Sequence, residues 1–346
     1  MLMIGKMNIK IKKYLFFVIL FVLLYGCSQE PQLSYTIIQS SLDKTTITDV
    51  VRQIKHFDNL LQKGMIEYKR ISYEYCKGDL EEMSITEIRH TFDQSKAIET
   101  QRIQYVKQPK IKQPIDQRRT IFVDGQNGWL WTYDVKRPEG MEEGSDIYMR
   151  RYGVGVSAEH KDLLYRKNPL QEYYIRCIGE CIDENHISMS EIIDSEGNHL
   201  YKIESKVKEN RVMSYDWIEY IVDPQKQFLP KEILLYDYND KNKPVLYERI
   251  LVMSYIKDDQ ENWFPSKMMV WFKEDYKDIF EFYRVKFNCD VVIDLTLPSG
   301  VYVCDDRKKP SPFIEYETLV PVNYTELQDP AVAEKEGKIR INQSPK

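Results

Sequence analysis

The chain has 346 residues and a formal net charge of −5, with 54 acidic and 49 basic side chains. An acidic chain of this kind is a poor candidate for nucleic-acid binding, which needs a basic patch. Tyrosine is abundant at 25 residues, whereas glycine and proline number 14 and 15. Because aromatic side chains favour strands, the composition predicts an antiparallel sheet, and the length allows a large core in one or two domains.

Residues 1–26 have the pattern of an export signal. Lys6, Lys10, Lys12 and Lys13 form a basic start without acidic residues, and Tyr14–Leu24 is continuously apolar. This apolar run is shorter than the roughly 20 residues of a membrane-spanning helix, and it has the length of a signal-peptide core. Removal of residues 1–26 changes the net charge from −5 to −9, because they contain four lysines and no acid.

The end of this segment resembles the lipobox of bacterial lipoproteins. In Leu24-Tyr25-Gly26-Cys27, leucine stands three residues before the cysteine and a small residue directly before it, although Tyr25 is larger than usual. The resemblance implies cleavage after Gly26 and lipid attachment to Cys27, and two or more acyl chains anchor a protein stably. Ser28 is compatible with sorting to the outer membrane, facing the periplasm. The alternative is an ordinary signal peptide or an uncleaved anchor.

A polar tether is predicted over residues 27–47, followed by a helix from Thr48 to Lys63. Thr48 is a suitable N-cap and Gly64 a suitable C′ residue. We expect the apolar stripe of this helix to cover a sheet. The stripe, at helical spacing, consists of Val50, Val51, Ile54, Phe57 and Leu61.

Strand patterns continue to about residue 295, and the short turns between them imply antiparallel neighbours. We count about a dozen strands by alternation and turn signals. The clearest hairpin joins Thr120–Val123 to Trp129–Tyr133 through Asp124–Gly128. Because side chains alternate along a strand, one face of its second strand carries Trp129, Trp131 and Tyr133.

Two segments depart from the strand pattern. Residues 136–190 contain a long insertion, either a lid or binding loop or a solvated connection, with a short helix predicted at Ser157–Tyr165. The tail from 323 to 346 is charged and predicted to be flexible.

Five cysteines follow Cys27, so at least one thiol stays unpaired in a monomer. Cys177 with Cys181, and Cys289 with Cys304, are possible pairs, and the pairing among these four and Cys76 stays open. A metal site at Cys177 and Cys181 would need further ligands. None follows at zinc spacing, so we expect neither a metal nor a cofactor.

Three stretches, in chain order, resemble the LolA/LolB-like family of bacterial envelope proteins. They are Asp124-Gly125 with the aromatic strand after it, Ile221–Pro224 with Leu229–Ile233, and Trp263–Lys267. The resemblance covers roughly residues 48–295. It implies a mainly β fold over 48–322: a curved, unclosed antiparallel sheet, or half-barrel, with covering helices. The insertion departs from the compact members of the family.

The resemblance also implies an apolar cavity that takes acyl chains or the lipid of a lipoprotein. The candidate cavity residues are Trp129, Trp131, Tyr133 and Trp217. Core packing between sheet and helix is the alternative role for each of them.

No catalytic motif appears in the sequence: there is no His-Glu-x-x-His helix, no Gly-x-Ser-x-Gly elbow and no phosphate-binding glycine loop. We therefore expect a non-catalytic protein, held to the membrane by its N-terminal lipid and acting as a carrier or acceptor. The alternative is an RseB-like interaction or stress-sensing module on the same fold, with a filled core and no lipid cargo.

Lipidation of Cys27 gives a direct prediction. In a bacterial host that processes lipoproteins, the N-terminal peptide of the mature protein should carry the mass of a diacylglyceryl group on Cys27, and Cys27→Ser should not. The wild type should partition with membranes and the variant should be released. Mass spectrometry that finds an unmodified Cys27 in processed protein would contradict the lipobox interpretation.

Overall fold

The computed structural model describes most of the chain after the predicted signal and tether. The described residues are 34–39, 44–76, 79–93, 96–105, 115–124, 129–134, 154–158, 170, 174, 182–207, 215–238, 244–272, 276–306 and 314–342.

Strands dominate these residues, and the two α-helices are α1 (Lys44–Leu60) and α2 (Pro330–Lys335). Short 3₁₀ turns lie at Pro224–Lys226 and Tyr324–Leu327. The strands are β1 (Tyr35–Gln39), β2 (Lys63–Cys76), β3 (Asp79–Asp93), β4 (Lys96–Tyr105), β5 (Ile115–Asp124), β6 (Trp129–Asp134), β7 (Val154–Ala158), β8 (Ile182–Asp194), β9 (His199–Val207), β10 (Trp217–Asp223), β11 (Leu229–Tyr238), β12 (Pro244–Lys257), β13 (Trp263–Phe272), β14 (Tyr276–Phe287), β15 (Thr296–Leu297), β16 (Tyr302–Asp306), β17 (Ile314–Thr318), β18 (Val322–Asn323) and β19 (Ile339–Ile341).

Seventeen of these strands form one open sheet. Two meanders run through it in sequence order, β8 to β14 and β2 to β7. Strand β1 forms one edge beside β8, and β19 forms the other edge beside β17. All the pairings are antiparallel except the parallel pairing of β7 with β16. The predicted fold class, an unclosed antiparallel sheet with few helices, is confirmed.

The two meanders meet where β2 pairs with β14. This seam runs from Glu74 opposite Tyr276 to Gly64 opposite Phe287. It joins residues about 210 positions apart in the chain. The two strands can therefore pair only when the chain between them brings its ends together. We call this pairing the central seam.

Helix α1 covers the inner face of the sheet around one end of the seam. Val50, Phe57 and Leu60 of the helix belong to a single buried cluster with side chains from β2, β3 and β8 to β14. A flat sheet of nine or ten strands would be about 45 Å wide at normal strand spacing. Since one helix and one cluster unite them, the sheet must curve around the helix, as the sequence predicted.

The bounds of α1 differ from the prediction. The helix begins at Lys44, so Thr48 lies within it rather than at its N-cap, and it ends at Leu60. Strand β2 starts at Lys63 and includes Gly64, which is therefore not a helix C′ residue. The strand begins early because its first residues pair with β14 and β3. Part of the predicted tether is also strand β1, whose Tyr35 donates to Glu232.

The C-terminal residues build a second core, so the prediction of a flexible tail is wrong for residues up to 342. Tyr324, Leu327, Ala333 and Ile339 are all buried there, together with Phe122 of β5. The capping box of Asn323 and Glu326 begins the 3₁₀ turn, and Asp329 caps α2. The capping residues are polar, so they contributed to the charged composition from which a flexible tail was predicted. The apolar residues of the segment are too widely spaced to form a helix or strand pattern.

Other local predictions had mixed outcomes. Val154–Ala158 is a strand, so the helix predicted at Ser157–Tyr165 does not begin where expected, and its remainder lies outside the described residues. Cys289 and Cys304 do not form a disulfide with each other. The possible Cys177–Cys181 pair lies outside the described residues. Residues 125–128 of the predicted hairpin turn also lie outside them.

Gly64 gives a prediction about the central seam. A Cβ atom at this position would lie 2.2 Å from the carbonyl oxygen of Lys286 on β14, which is a backbone atom held by the sheet. Gly64→Ala should therefore lower the free energy of unfolding by about 3 kcal/mol through overpacking. Denaturant unfolding followed by circular dichroism would measure the change.

Gly197→Ala is the matched control. Gly197 also has a positive φ, +86°, but no atom lies within 4 Å of the position that a Cβ would take there. Its cost should be limited to backbone strain of about 1 kcal/mol. Equal losses in the two variants would contradict the close approach at the seam.

Candidate functional site

A cavity of about 640 Å³ lies on the inner face at the central seam. It is bounded by β14, β2, β3, β4 and β5, beyond the region that α1 covers. Its volume lies within the range of roughly 300–1,000 Å³ that is usual for small-molecule sites. The residues that line it are Arg70, Ser72, Tyr73, Glu74, Met83, Ser84, Thr86, Ile88, Gln101, Ile103, Arg119, Tyr276 and Asp278.

The inner face changes from apolar to polar at β14. Cross-strand neighbours point to the same side of a sheet, so a row of paired residues can be followed from strand to strand. One row runs from Ile250 to Val270 in the first meander and continues across the seam as Asp278, Ser72 and Ser84. The sheet thus presents an apolar floor under α1 and a polar floor in the cavity.

An ion pair across the seam is the main charged contact in the cavity. Arg70 Nη2 on β2 donates to Asp278 Oδ2 on β14 at 2.7 Å. The Asp278 side chain is 1% exposed and that of Arg70 is 40% exposed. The guanidinium also lies 5.9 Å from the ring centroid of Phe280. In this ion pair, therefore, the Asp278 carboxylate is buried and the Arg70 side chain is partly exposed to solvent.

The second oxygen of Asp278 is an unused acceptor. Asp278 Oδ1 is buried and accepts no hydrogen bond from the described residues. A buried carboxylate oxygen without a donor is unfavourable by about 1–3 kcal/mol or more. A donor that reached this oxygen would remove the cost.

A buried polar chain lies beside the cavity on β3 and β4. The side-chain amide of Gln101, which lines the cavity, donates to Glu99 Oε1. Glu99 Oε2 lies 3.0 Å from His90 Nδ1, and both residues are buried. His90 Nε2 has no hydrogen-bond partner among the described residues. With Glu99 already accepting from Gln101, the arrangement favours a proton on Nδ1 and an acceptor at Nε2.

Tyrosines form the rim of the cavity. Tyr276 stacks on Phe272 with ring centroids 4.3 Å apart. Burial, followed by the nearby Glu82 carboxylate, raises the pKa of Tyr73, which also interacts with Lys267 and Glu281. These groups place the Tyr73 hydroxyl on the opposite face from its neighbour Ser72. The rim therefore supplies flat apolar surface from Tyr276.

Of the four candidate aromatic residues, Trp217 does not line the described cavity. Trp217 is half-buried and pairs with Tyr236 and Lys206. Its neighbour Ile218, which points to the opposite side of β10, is the one that lies in the main core. Trp131 pairs in register with Phe122, whose side chain is in the second core.

The side-chain surroundings of Trp129, Trp131 and Tyr133 lie outside the described residues. Their assignment to a cavity wall stays a prediction, as does that of Trp217.

Sequence reasoning missed the residues that do line the cavity. Arg70, Ser72 and Glu74 alternate with larger apolar residues along β2, a pattern that normally indicates a solvated strand face. The usable signal was that Asp278 breaks the apolar face of β14, which otherwise contains Phe280 and Phe282. Its partner could not be identified, because Arg70 is 208 positions away.

The described residues offer neither a metal site nor a membrane-spanning helix. They contain no group of three or more histidine, cysteine, aspartate or glutamate side chains arranged to hold a metal ion. None of their helices combines the length and apolar character needed to span a bilayer.

Comparison with known proteins found likeness in structure only. The sequence matches no protein-family model and no curated protein at a significant level. A DUF1329 family protein from Desulfovibrio piger superposes with a TM-score of 0.38 and 13% identity, covering 71% of this chain and 95% of that one. A Vibrio parahaemolyticus domain named for outer membrane lipoprotein sorting gives a TM-score of 0.36 and 9% identity, covering 70% and 93%. Superpositions this loose neither identify the family nor transfer a function.

The ion pair gives a prediction for the cavity. Arg70→Met would leave the buried Asp278 carboxylate without its cation, so the free energy of unfolding should fall by about 3 kcal/mol. The double variant Arg70→Met/Asp278→Asn removes the charge as well and should recover a large part of the loss. Denaturant unfolding of the wild type, the two single variants and the double variant would measure the coupling.

Lys257→Met is the control for this cycle. Its partner Glu261 is exposed, and exposed pairs contribute about 0.2–1 kcal/mol. If the Arg70 variant lost no more stability than this control, Asp278 would not depend on Arg70.

Proposed function

We propose that this chain is a non-catalytic lipoprotein of the bacterial envelope that binds a lipid or a lipidated protein on the inner face of its sheet. In this proposal Cys27 carries the lipid anchor, and the membrane is the outer membrane on its periplasmic side. The protein acts as a carrier or an acceptor and needs no cofactor.

One observation carries the proposal: an apolar core and an open polar cavity adjoin on one continuous face. Ile88 belongs to both, since it packs in the main core and lines the cavity. An amphiphile with an apolar chain and a polar head fits this arrangement, because the chain would contact the apolar surface and the head would contact the polar one.

The apolar part of the face is occupied by α1, so an acyl chain must displace the helix. Among its described side chains, Val50, Val51, Phe57 and Leu60 are buried, and burial of each contributes about 2 kcal/mol. A dozen buried methylenes contribute about 10 kcal/mol at 0.8 each. One acyl chain therefore offsets the exposure of these four side chains.

An alternative function is an interaction module that holds no lipid, and the filled core favours it. Strand β1 is a sheet edge, with Ile37 60% and Ile38 49% exposed. Exposed edge strands can add a strand from a partner. On this alternative α1 is a permanent part of the core, and a partner protein binds the edge.

The proposal predicts bound lipid. Residues 28–346, exported to the periplasm without Cys27, should copurify with phospholipid or fatty acid in a stoichiometric amount, measured by native mass spectrometry and lipid extraction. Trp131→Glu or Trp217→Glu should lower the occupancy if these residues line the acyl site. Well-folded protein that is free of lipid would favour the interaction module.

Two variants of α1 test whether lipid can displace the helix or whether the helix is a permanent part of the core. Phe57 packs edge-on against Tyr174 and Phe287, whereas Asn59 is exposed on the same helix. Phe57→Asp should loosen the helix and raise lipid uptake from vesicles while the sheet stays folded. Asn59→Asp should change neither. Global unfolding of the Phe57 variant would mean that the helix is permanent core.

A further inference from the structure

We propose that the seam cavity binds a neutral sugar, as a free oligosaccharide or as the glycosyl head of a glycolipid. The inference deepens the proposed function, and only its acyl-chain part rests on that function. The sugar site itself depends on the cavity alone.

Among the described residues that line the cavity, the charges are balanced. Arg70 and Arg119 are the cations of this set, and Asp278 and Glu74 are its carboxylates. Because these opposite charges are equal in number, an anionic ligand would meet two carboxylates and a cationic ligand two guanidinium groups. A neutral ligand avoids both repulsions and can hydrogen-bond to either kind of group.

The uncharged polar side chains of the cavity match hydroxyl groups. Ser72, Ser84, Thr86 and Gln101 line the cavity beside the ion pair, and each of their side chains can both donate and accept. Sugar hydroxyls have the same double capacity, so they can pair with every group in such a lining. An acyl chain in this place would leave the same groups without partners, at a cost for each one.

The unused oxygen of Asp278 selects for a ligand that donates. Asp278 is among the residues that line the cavity, and its carboxylate is buried in the wall. Its Oδ2 accepts from Arg70, while Oδ1 accepts from none of the described residues. An ionised carboxylate accepts and does not donate, so its ligand must bring a donor. A hydroxyl is a neutral donor, which agrees with the charge balance.

The apolar surfaces of the cavity suit the shape of a sugar ring. Sugar rings carry an apolar face of C–H groups, which packs against flat aromatic or aliphatic surface. The cavity offers such a surface in Tyr276, which is fixed by its stacking on Phe272, and in Ile103, which is buried. The volume of about 640 Å³ is sufficient for a short oligosaccharide.

The test uses saturation-transfer NMR on residues 28–346 without Cys27. The neutral probes are maltotriose, cellotriose, chitotriose and mannotriose. The acidic probe is trigalacturonate and the basic probe is protonated glucosamine trimer. We expect signal from at least one neutral trisaccharide and none from the charged trimers. No signal from any neutral probe, or a preference for a charged one, would overturn the inference.

A variant pair locates the binding. Ser84 lines the cavity opposite Ser72, so Ser84→Leu should weaken binding of the neutral probe about tenfold, which corresponds to about 1.4 kcal/mol. Ser254 lies exposed on β12, so Ser254→Leu should leave the affinity unchanged. Equal affinities in the two variants would place the sugar elsewhere and overturn the assignment.

The experiments distinguish failure of the lipid-carrier proposal from failure of the sugar-site proposal. Lipid that copurifies with a protein that binds no sugar would overturn the sugar site and leave the carrier function standing. Sugar binding by a protein that never holds lipid would overturn the carrier function and leave the sugar site standing.

Discussion

The pairing of β2 with β14 is the constraint on which the rest of the structure depends. It joins a meander that ends at Phe287 to one that begins at Lys63, so that two sheets become one. Gly64 allows a close backbone approach within it, and the Arg70–Asp278 pair crosses it. Without this seam, α1 would cover only part of a core, and the cavity would lose one of its walls.

The seam also explains why a charged pair is tolerated inside the sheet. Burying a carboxylate is costly unless a cation and hydrogen bonds compensate it, and Asp278 is fully buried. The compensation comes from the other meander, since Arg70 is on β2. Association of the two meanders therefore pairs Asp278 with its cation, while incorrect pairing would leave the buried carboxylate without one. We infer that the pair favours this register over a shifted one.

The sequence was sufficient for local features and insufficient for distant ones. The hairpin of β10 and β11 and the strand start at Trp263 follow local rules of turn and alternation, and the structure has both. The Arg70–Asp278 contact could not be predicted, because nothing local relates residues 208 positions apart. The C-terminal core was missed for the same reason: Tyr324 packs against Phe122 of a distant strand, with ring centroids 4.5 Å apart.

The helix α1 shows a different limit of sequence reasoning. Val50, Val51 and Phe57 of its predicted apolar stripe are buried, because helical spacing is a strong signal. Leu61, also in the predicted stripe, lies beyond the end of the helix, since that end depends on the strand after it. Lys63 and Gly64 have the pattern of a helix terminus, yet they belong to the sheet because their backbone groups pair with β14 and β3. Tertiary hydrogen bonds therefore decided the boundary over local capping preference.

The position of the polar cavity next to the apolar core has a consequence for ligand exchange. Ile88 is a side chain of both the apolar core and the cavity wall. It pairs in register with Gln101, and Gln101 begins the buried hydrogen-bonded chain to Glu99 and His90. A ligand head that moves Gln101 would disturb Glu99, which also contacts His90. His90 lies against Phe92, which belongs to the same core as α1. Contacts therefore run from the cavity residue Gln101 to the core that the helix covers. Under the proposed function, we expect a head group in the cavity to change the stability of the helix.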